Sequence, residues 1–195
     1  MLRKETYQLE IGDVGGSRID TLQNRIVRWI ENHMITPEQD RDHFFILWQK
    51  IKDDWLILES IGSKGLTVGK LSWYDNQNVI FYRVDCDKDL RTLAPNNLIN
   101  YARSQYDYFL IAKLITGAVR AFFKVLINEH KIRRFTARDF PYDTDRRLIC
   151  TEAVEIAYLS VGVAIVDPEV LPIPQTFKEA ELEGRIFKIE EISKR

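Results

Sequence analysis

The sequence predicts an α+β fold, and three observations carry that expectation. Apolar, β-rich runs punctuated by turn residues are gathered between His43 and Val84. Helical periodicity dominates after Asn96. Strands and helices therefore sit in separate stretches instead of alternating as βαβ units would require. At 195 residues the chain is the size of one domain, and no linker, repeat or low-complexity tract divides it.

In chain order, Ile19, Leu22, Ile26, Val27 and Ile30 recur at helical spacing, so residues 17–34 read as a helix with Ser17 or Asp20 as cap. Thr36-Pro37-Glu38-Gln39 has the form of a capping box and marks one further turn. Residues 43–49 and 55–61 are apolar runs that read as a hairpin across residues 50–54. Gly62-Ser63-Lys64-Gly65 turns the chain into a strand over 66–73, and Asp75-Asn76-Gln77-Asn78 turns it again into a strand over 79–84. Asn96 or Asn97 caps a helix to about residue 105, and a longer amphipathic helix covers about 109–130. Another helix starts near Cys150. The prolines of 167–174 mark a loop, followed by a short helical piece over 178–182, Gly184 as its stop, and a last strand over 185–189.

Composition narrows the function. Lys and Arg total 28 against 29 Asp and Glu, so no global field advertises nucleic acid as a partner. The N-terminal MLRKETYQLEIGD lacks the apolar core of a secretory signal, which points to the cytoplasm. The 109–130 segment approaches the ~20 residues that span a bilayer, but Lys113, Arg120 and Lys124 argue against burial in lipid. With Lys131 they fall on one side of the helix at ~100° per residue, either as a solvated stripe or as a contact with a membrane surface or substrate. The two cysteines, Cys86 and Cys150, have neither CxxC nor zinc spacing, so no metal or cofactor is predicted.

The three histidines make the search for chemistry short. His33 and His130 lie near helix C-termini, where a cation favours the dipole. His43 opens an apolar strand instead. Glu59 is the one charged residue in the run 55–61, and a carboxylate there needs a partner. If the hairpin closes through an odd loop such as 50–52, Gln49 opposes Asp53 and His43 opposes Glu59 on one face, close enough for the carboxylate to accept from imidazole Nδ1–H. A slip of one residue places them on opposite faces. Cys150, in the first turn of its helix, meets unpaired N–H groups that favour a thiolate and can hold an oxyanion. Cys150, His43 and Glu59 together make a nucleophile, a base and an orienting carboxylate suited to acyl transfer. Cys86, between Asp85 and Asp87, is expected to react slowly.

The order of these residues resembles the circularly permuted NlpC-type papain-like hydrolases, the YiiX-like group. Ile11-Gly12-Asp13-Val14 looks like that group's opening Gly-Asp strand, and Asp42-His43-Phe44-Phe45-Ile46 like its histidine strand. Leu58-Glu59-Ser60-Ile61 with Gly65-Leu66-Thr67-Val68 is similar to its Glu strand and the following Gly-hydrophobic turn. Tyr82-Arg83-Val84, Tyr106-Asp107-Tyr108 and Cys150-Thr151-Glu152-Ala153-Val154 resemble its remaining motifs, so the likeness runs from about residue 10 to 165. Leu148 and Ile149 stand where the group often has a tyrosine, Thr151 replaces a serine, and the segment between Tyr108 and Cys150 is longer than the group's.

The resemblance implies a single permuted papain-like hydrolase domain over residues 1–195, with a small antiparallel barrel or sheet packed against the cysteine helix and a helical insert at about 109–140. It implies Cys150 as nucleophile, His43 as general base and Glu59 as the residue that orients the imidazole. The expected activity is a thiol hydrolase or acyltransferase acting on a peptide, isopeptide or cell-wall amide, or on an acyl-lipid ester. The alternative is a catalytically idle papain-like module that binds a partner or lipid through the insert.

Overall fold

The computed structural model describes residues 8–18, 41–62, 64–102, 104–105, 116, 148–168 and 170–192. Residues 19–34 of the helix expected from 17 to 34, the turn at 36–39, the Tyr106-Asp107-Tyr108 motif, His33, His130, Lys113, Arg120 and Lys124 lie outside them. Of the expected insert at 109–140 only Thr116 is described.

The described residues form an α+β structure around an open antiparallel sheet of six strands: β1 (Val14–Ser17), β2 (His43–Ile51), β3 (Asp54–Ile61), β4 (Gly65–Lys70), β5 (Val79–Val84) and β6 (Ile186–Ile192). Their order is β4-β3-β2-β1-β5-β6. Helices α1 (Lys88–Leu98), α2 (Cys150–Leu159) and α3 (Pro174–Leu182) complete it. One face carries Val14, Phe44, Ile46, Leu58 and Tyr82 and packs on Leu98, Ala153, Val154, Ala157 and Phe177 from the helices. Phe45, Leu47, Ile57, Val79 and Phe81 build a second core on the opposite face, because strand side chains alternate.

β1 is a central strand that the residue pattern did not announce, since Val-Gly-Gly-Ser has little β character. Its glycines answer a packing demand: a Cβ at Gly15 would overlap the Phe45 ring. Ser17 ends this strand, directly opposite His43, and so does not cap a helix. The strand expected over 66–73 stops at Lys70, and Leu71–Tyr74 forms a 3₁₀ turn. Asp54 draws that turn in, accepting from Ser72 N–H at 3.1 Å and Ser72 Oγ at 2.7 Å.

α1 starts at Lys88, well before Asn96, and continues through Pro95 into a 3₁₀ turn over Ile99–Tyr101. Proline cannot donate to the Arg91 carbonyl, and Gly12, with φ +89°, lies close against that carbonyl. The expected proline loop also ends earlier: Pro174 is the first residue of α3, where its missing N–H costs nothing. Gly184 at φ +77° follows α3 as expected, and the last strand extends to Ile192.

The β2–β3 turn decides where the site forms. Ile51 pairs with Asp54, so the loop has two residues, Lys52-Asp53, and not the odd number that would set His43 opposite Glu59. By itself that register puts the two on opposite faces. A bulge between Leu47 and Gln49 absorbs one residue, Trp48, and restores the shared face: Phe45 pairs with Glu59, and His43 lies diagonally two residues along. Trp48 Nε1 donates to Asn96 Oδ1 of α1 at 2.8 Å, which fixes the bulge.

Lys52 occupies a left-handed conformation, φ 54°, at the first turn position, where glycine is favoured in such hairpins. Lys52→Gly is therefore expected to stabilise the protein by ~1 kcal/mol, raising Tm by about 2–4 °C in a thermal melt. A lowered Tm would contradict the turn geometry.

Candidate functional site: Cys150, His43 and Glu59

Three segments meet where β2 begins. Cys150 is the first residue of α2, as the sequence predicted. That helix is seated by Thr151 Oγ1 donating to the Pro172 carbonyl at 2.5 Å and Tyr158 OH to the Gly12 carbonyl at 2.5 Å. Ser60 Oγ donates to the Leu148 carbonyl at 2.6 Å just ahead of it. The Glu152 carboxylate accepts from Ile149 N–H at 2.8 Å, and Ile149, being apolar, offers no side-chain cap to the first-turn N–H groups.

Because α2 packs on the sheet face opposite His43, its thiol reaches the imidazole at the end of the strand. Cys150 Sγ lies 3.9 Å from the Asp42 carbonyl, and the thiol is near enough to the His43 side chain to raise the imidazole pKa. His43 Nε2 is 2.8 Å from Glu59 Oε2. This corrects the expected use of Nδ1 toward the carboxylate: with Nε2 taken, Nδ1 is the nitrogen left for the thiol. The three predicted residues are thus brought together, in the order Cys150, His43, Glu59.

The three side chains are buried. Glu59 is 1% exposed, and His43 and Cys150 are each 6% exposed. Burial alone would lower the His43 pKa, but hydrogen bonds and charge from Cys150 and Glu59 outweigh it and push the value up to about 10. At neutral pH the ring is held as imidazolium.

Sequence reasoning missed Tyr74. Its hydroxyl donates to Glu59 Oε2, the oxygen that also faces His43. Its ring lies parallel to the imidazole at 6.0 Å between centroids and 4.9 Å from Phe45. Burial, then the charge and hydrogen bond of Glu59, raise the phenol pKa, so Tyr74 remains a donor. The signal was the turn cluster Asp75-Asn76-Gln77-Asn78, one residue after Tyr74 and close enough to have ended the strand sooner.

Asp13 and Arg83, from two of the other motifs, do not reach the site. They form a two-point ion pair, Nε to Oδ1 and Nη2 to Oδ2, each 2.8 Å. Cys86 and Cys150 are both free thiols. Burial raises the Cys86 pKa; Arg91 opposes this, and Asp87 and Asp85 add to it. Among the described residues no group of three or more His, Cys, Asp and Glu converges as a metal site, and no helix is long and apolar enough to cross a membrane.

No family model and no curated protein matches the chain.

Proposed function

We propose that the chain is a thiol hydrolase or acyltransferase of the circularly permuted papain-like kind, with Cys150 as nucleophile, His43 as acid and base, and Glu59 orienting the ring. The observation that carries this reading is the His43 imidazole held between the Cys150 thiol and the Glu59 carboxylate. Such a pairing supplies an ionised sulfur and a proton donor on the same side of a carbonyl.

Cys150 Sγ attacks the carbonyl carbon, and first-turn N–H groups of α2 stabilise the oxyanion. His43 gives its proton to the departing nitrogen or oxygen, leaving a thioester on Cys150 and a neutral imidazole. Acylation removes the charge on sulfur, one of the two influences that keep His43 protonated, so the ring becomes basic enough to take a proton from water or an acceptor amine or alcohol. Attack by that acceptor releases the acyl group and restores the thiolate–imidazolium pair. The substrate is an amide in a peptide, isopeptide or cell-wall peptide, or an acyl ester of a lipid.

The burial of Cys150 and His43 favours a second reading, a catalytically idle module that binds a partner or lipid through the segment bearing Lys113, Arg120 and Lys124. A thiol-directed activity probe separates the two. Cys150 is expected to label faster than Cys86 at pH 7, and Cys150→Ala to lose that labelling and all turnover in a screen of peptide amides and acyl lipids, with an unchanged fold by circular dichroism. Labelling of Cys150 no faster than Cys86, or turnover surviving in Cys150→Ala, would overturn the hydrolase reading.

A further inference from the structure

We infer that Tyr74, held from below by Asp54 and Ser72, is a positioning residue that fixes the Glu59 carboxylate and through it the His43 ring. Its kinetic consequence rests on the proposed nucleophilic role of Cys150.

The geometry assigns Tyr74 more than packing. Glu59 directs one oxygen, Oε2, at both His43 Nε2 and the Tyr74 hydroxyl. The other oxygen, Oε1, is buried without a hydrogen-bond partner and lies against Gly69, where an added Cβ would overlap it. Without Tyr74, Glu59 keeps His43 alone as partner, and a carboxylate so buried needs several donors to stay ionised and oriented.

β3 supplies both ends of the device. Asp54, its first residue, accepts from Ser72 and so anchors the 3₁₀ turn, while Glu59, five positions further along, receives the phenol that the turn presents. The distance between anchor and target is thus set by one strand, which is stiffer than a free loop. Among the described residues, the titratable groups facing Glu59 are His43 from β2, Tyr74 from the turn and, across the imidazole, Cys150 from α2.

Tyr74→Phe tests this, since it keeps the ring beside His43 and Phe45 and removes only the donor. One hydrogen bond fewer lets the carboxylate gain a proton at higher pH than in the parent. The acid limb of the pH profile for Cys150 alkylation by iodoacetamide is expected to move up by about one unit, slowing the reaction roughly tenfold near that limb. Ser72→Ala, which loosens the anchor at an exposed hydrogen bond, is expected to shift it in the same direction by less. A limb that stays in place in both folded variants would overturn the inference.

The carboxyl carbon resonance of Glu59 gives a readout independent of turnover. Its titration midpoint is expected to rise in Tyr74→Phe. If parent Cys150 labels no faster than Cys86, the hydrolase reading fails and this midpoint alone decides: a rise supports the positioning role, and an unmoved midpoint overturns it.

Discussion

His43→Gln is expected to slow the reaction of Cys150 with a thiol probe at pH 7 by about 10²–10⁴-fold, toward the rate of Cys86. Glutamine retains an N–H that can donate to Glu59 but carries no exchangeable charge, so the carboxylate keeps a partner while the imidazolium is lost. The same variant should alter the pH dependence of stability. With a folded pKa of about 10 against an ordinary 6.5, His43 contributes stability that is fully present below about pH 6.5 and is lost as pH rises through about 10. Urea midpoints of the parent should therefore fall across that window through this group, and those of His43→Gln should lack this component of the fall. Parallel curves for the two proteins, or unchanged labelling, would mean that His43 is not coupled to Cys150 and Glu59.

Both expectations depend on His43 and Glu59 sharing a face, and the sequence made that visible only as a condition. The hairpin itself was legible from its apolar runs and charged turn. Its parity was not, because both strands are apolar on both faces and carry no pattern to choose a register. The two-residue loop would have separated the pair, and the bulge at Trp48 brings them back. Nothing within the run 43–49 marks that bulge; its support comes from Asn96, on a helix that Pro95 concealed. Cys150 was easier, since Glu152, Ala153, Val154 and Ala157 write an amphipathic helix from its first turn. Tyr74 was hidden for a reason like that of Trp48: a contact distant in sequence, from Asp54 to Ser72, ends β4 early and turns the chain into the site.

β1 shows the same limit from the other side. Its glycines lower local strand preference, yet Gly15 is needed where the Phe45 ring crosses it. Local propensity and tertiary demand therefore point in opposite directions there, and packing prevails. The Gly-Asp and Tyr-Arg motifs were read together with those of Cys150, His43 and Glu59, but the structure gives Asp13 and Arg83 to the frame. Sequence order alone does not distinguish a residue placed at the candidate site from one that holds the strand beside it.

That frame is open to the largest stability effect expected in the molecule. Arg83→Leu should destabilise the protein by about 3–5 kcal/mol, lowering Tm by roughly 6–20 °C. Asp13 is 0% exposed, and the Arg83 guanidinium meets both of its carboxylate oxygens. Arg83 also donates from Nη2 to the Gln8 carbonyl at 3.0 Å. Removing it leaves a sealed carboxylate with only the Glu10 N–H at 2.7 Å, and an unpaired buried charge costs more than the pair gained. Asp13 is joined to β2 as well, its carbonyl accepting Leu47 N–H at 2.9 Å, so a shifted Asp13 would loosen the strand that carries His43. Adding Asp13→Asn to Arg83→Leu should recover part of the loss, since the amide can still accept from Glu10 without a charge. A loss below 1 kcal/mol in denaturant unfolding, the scale of an exposed ion pair, would show that water reaches Asp13 and that the pair does not organise the sheet.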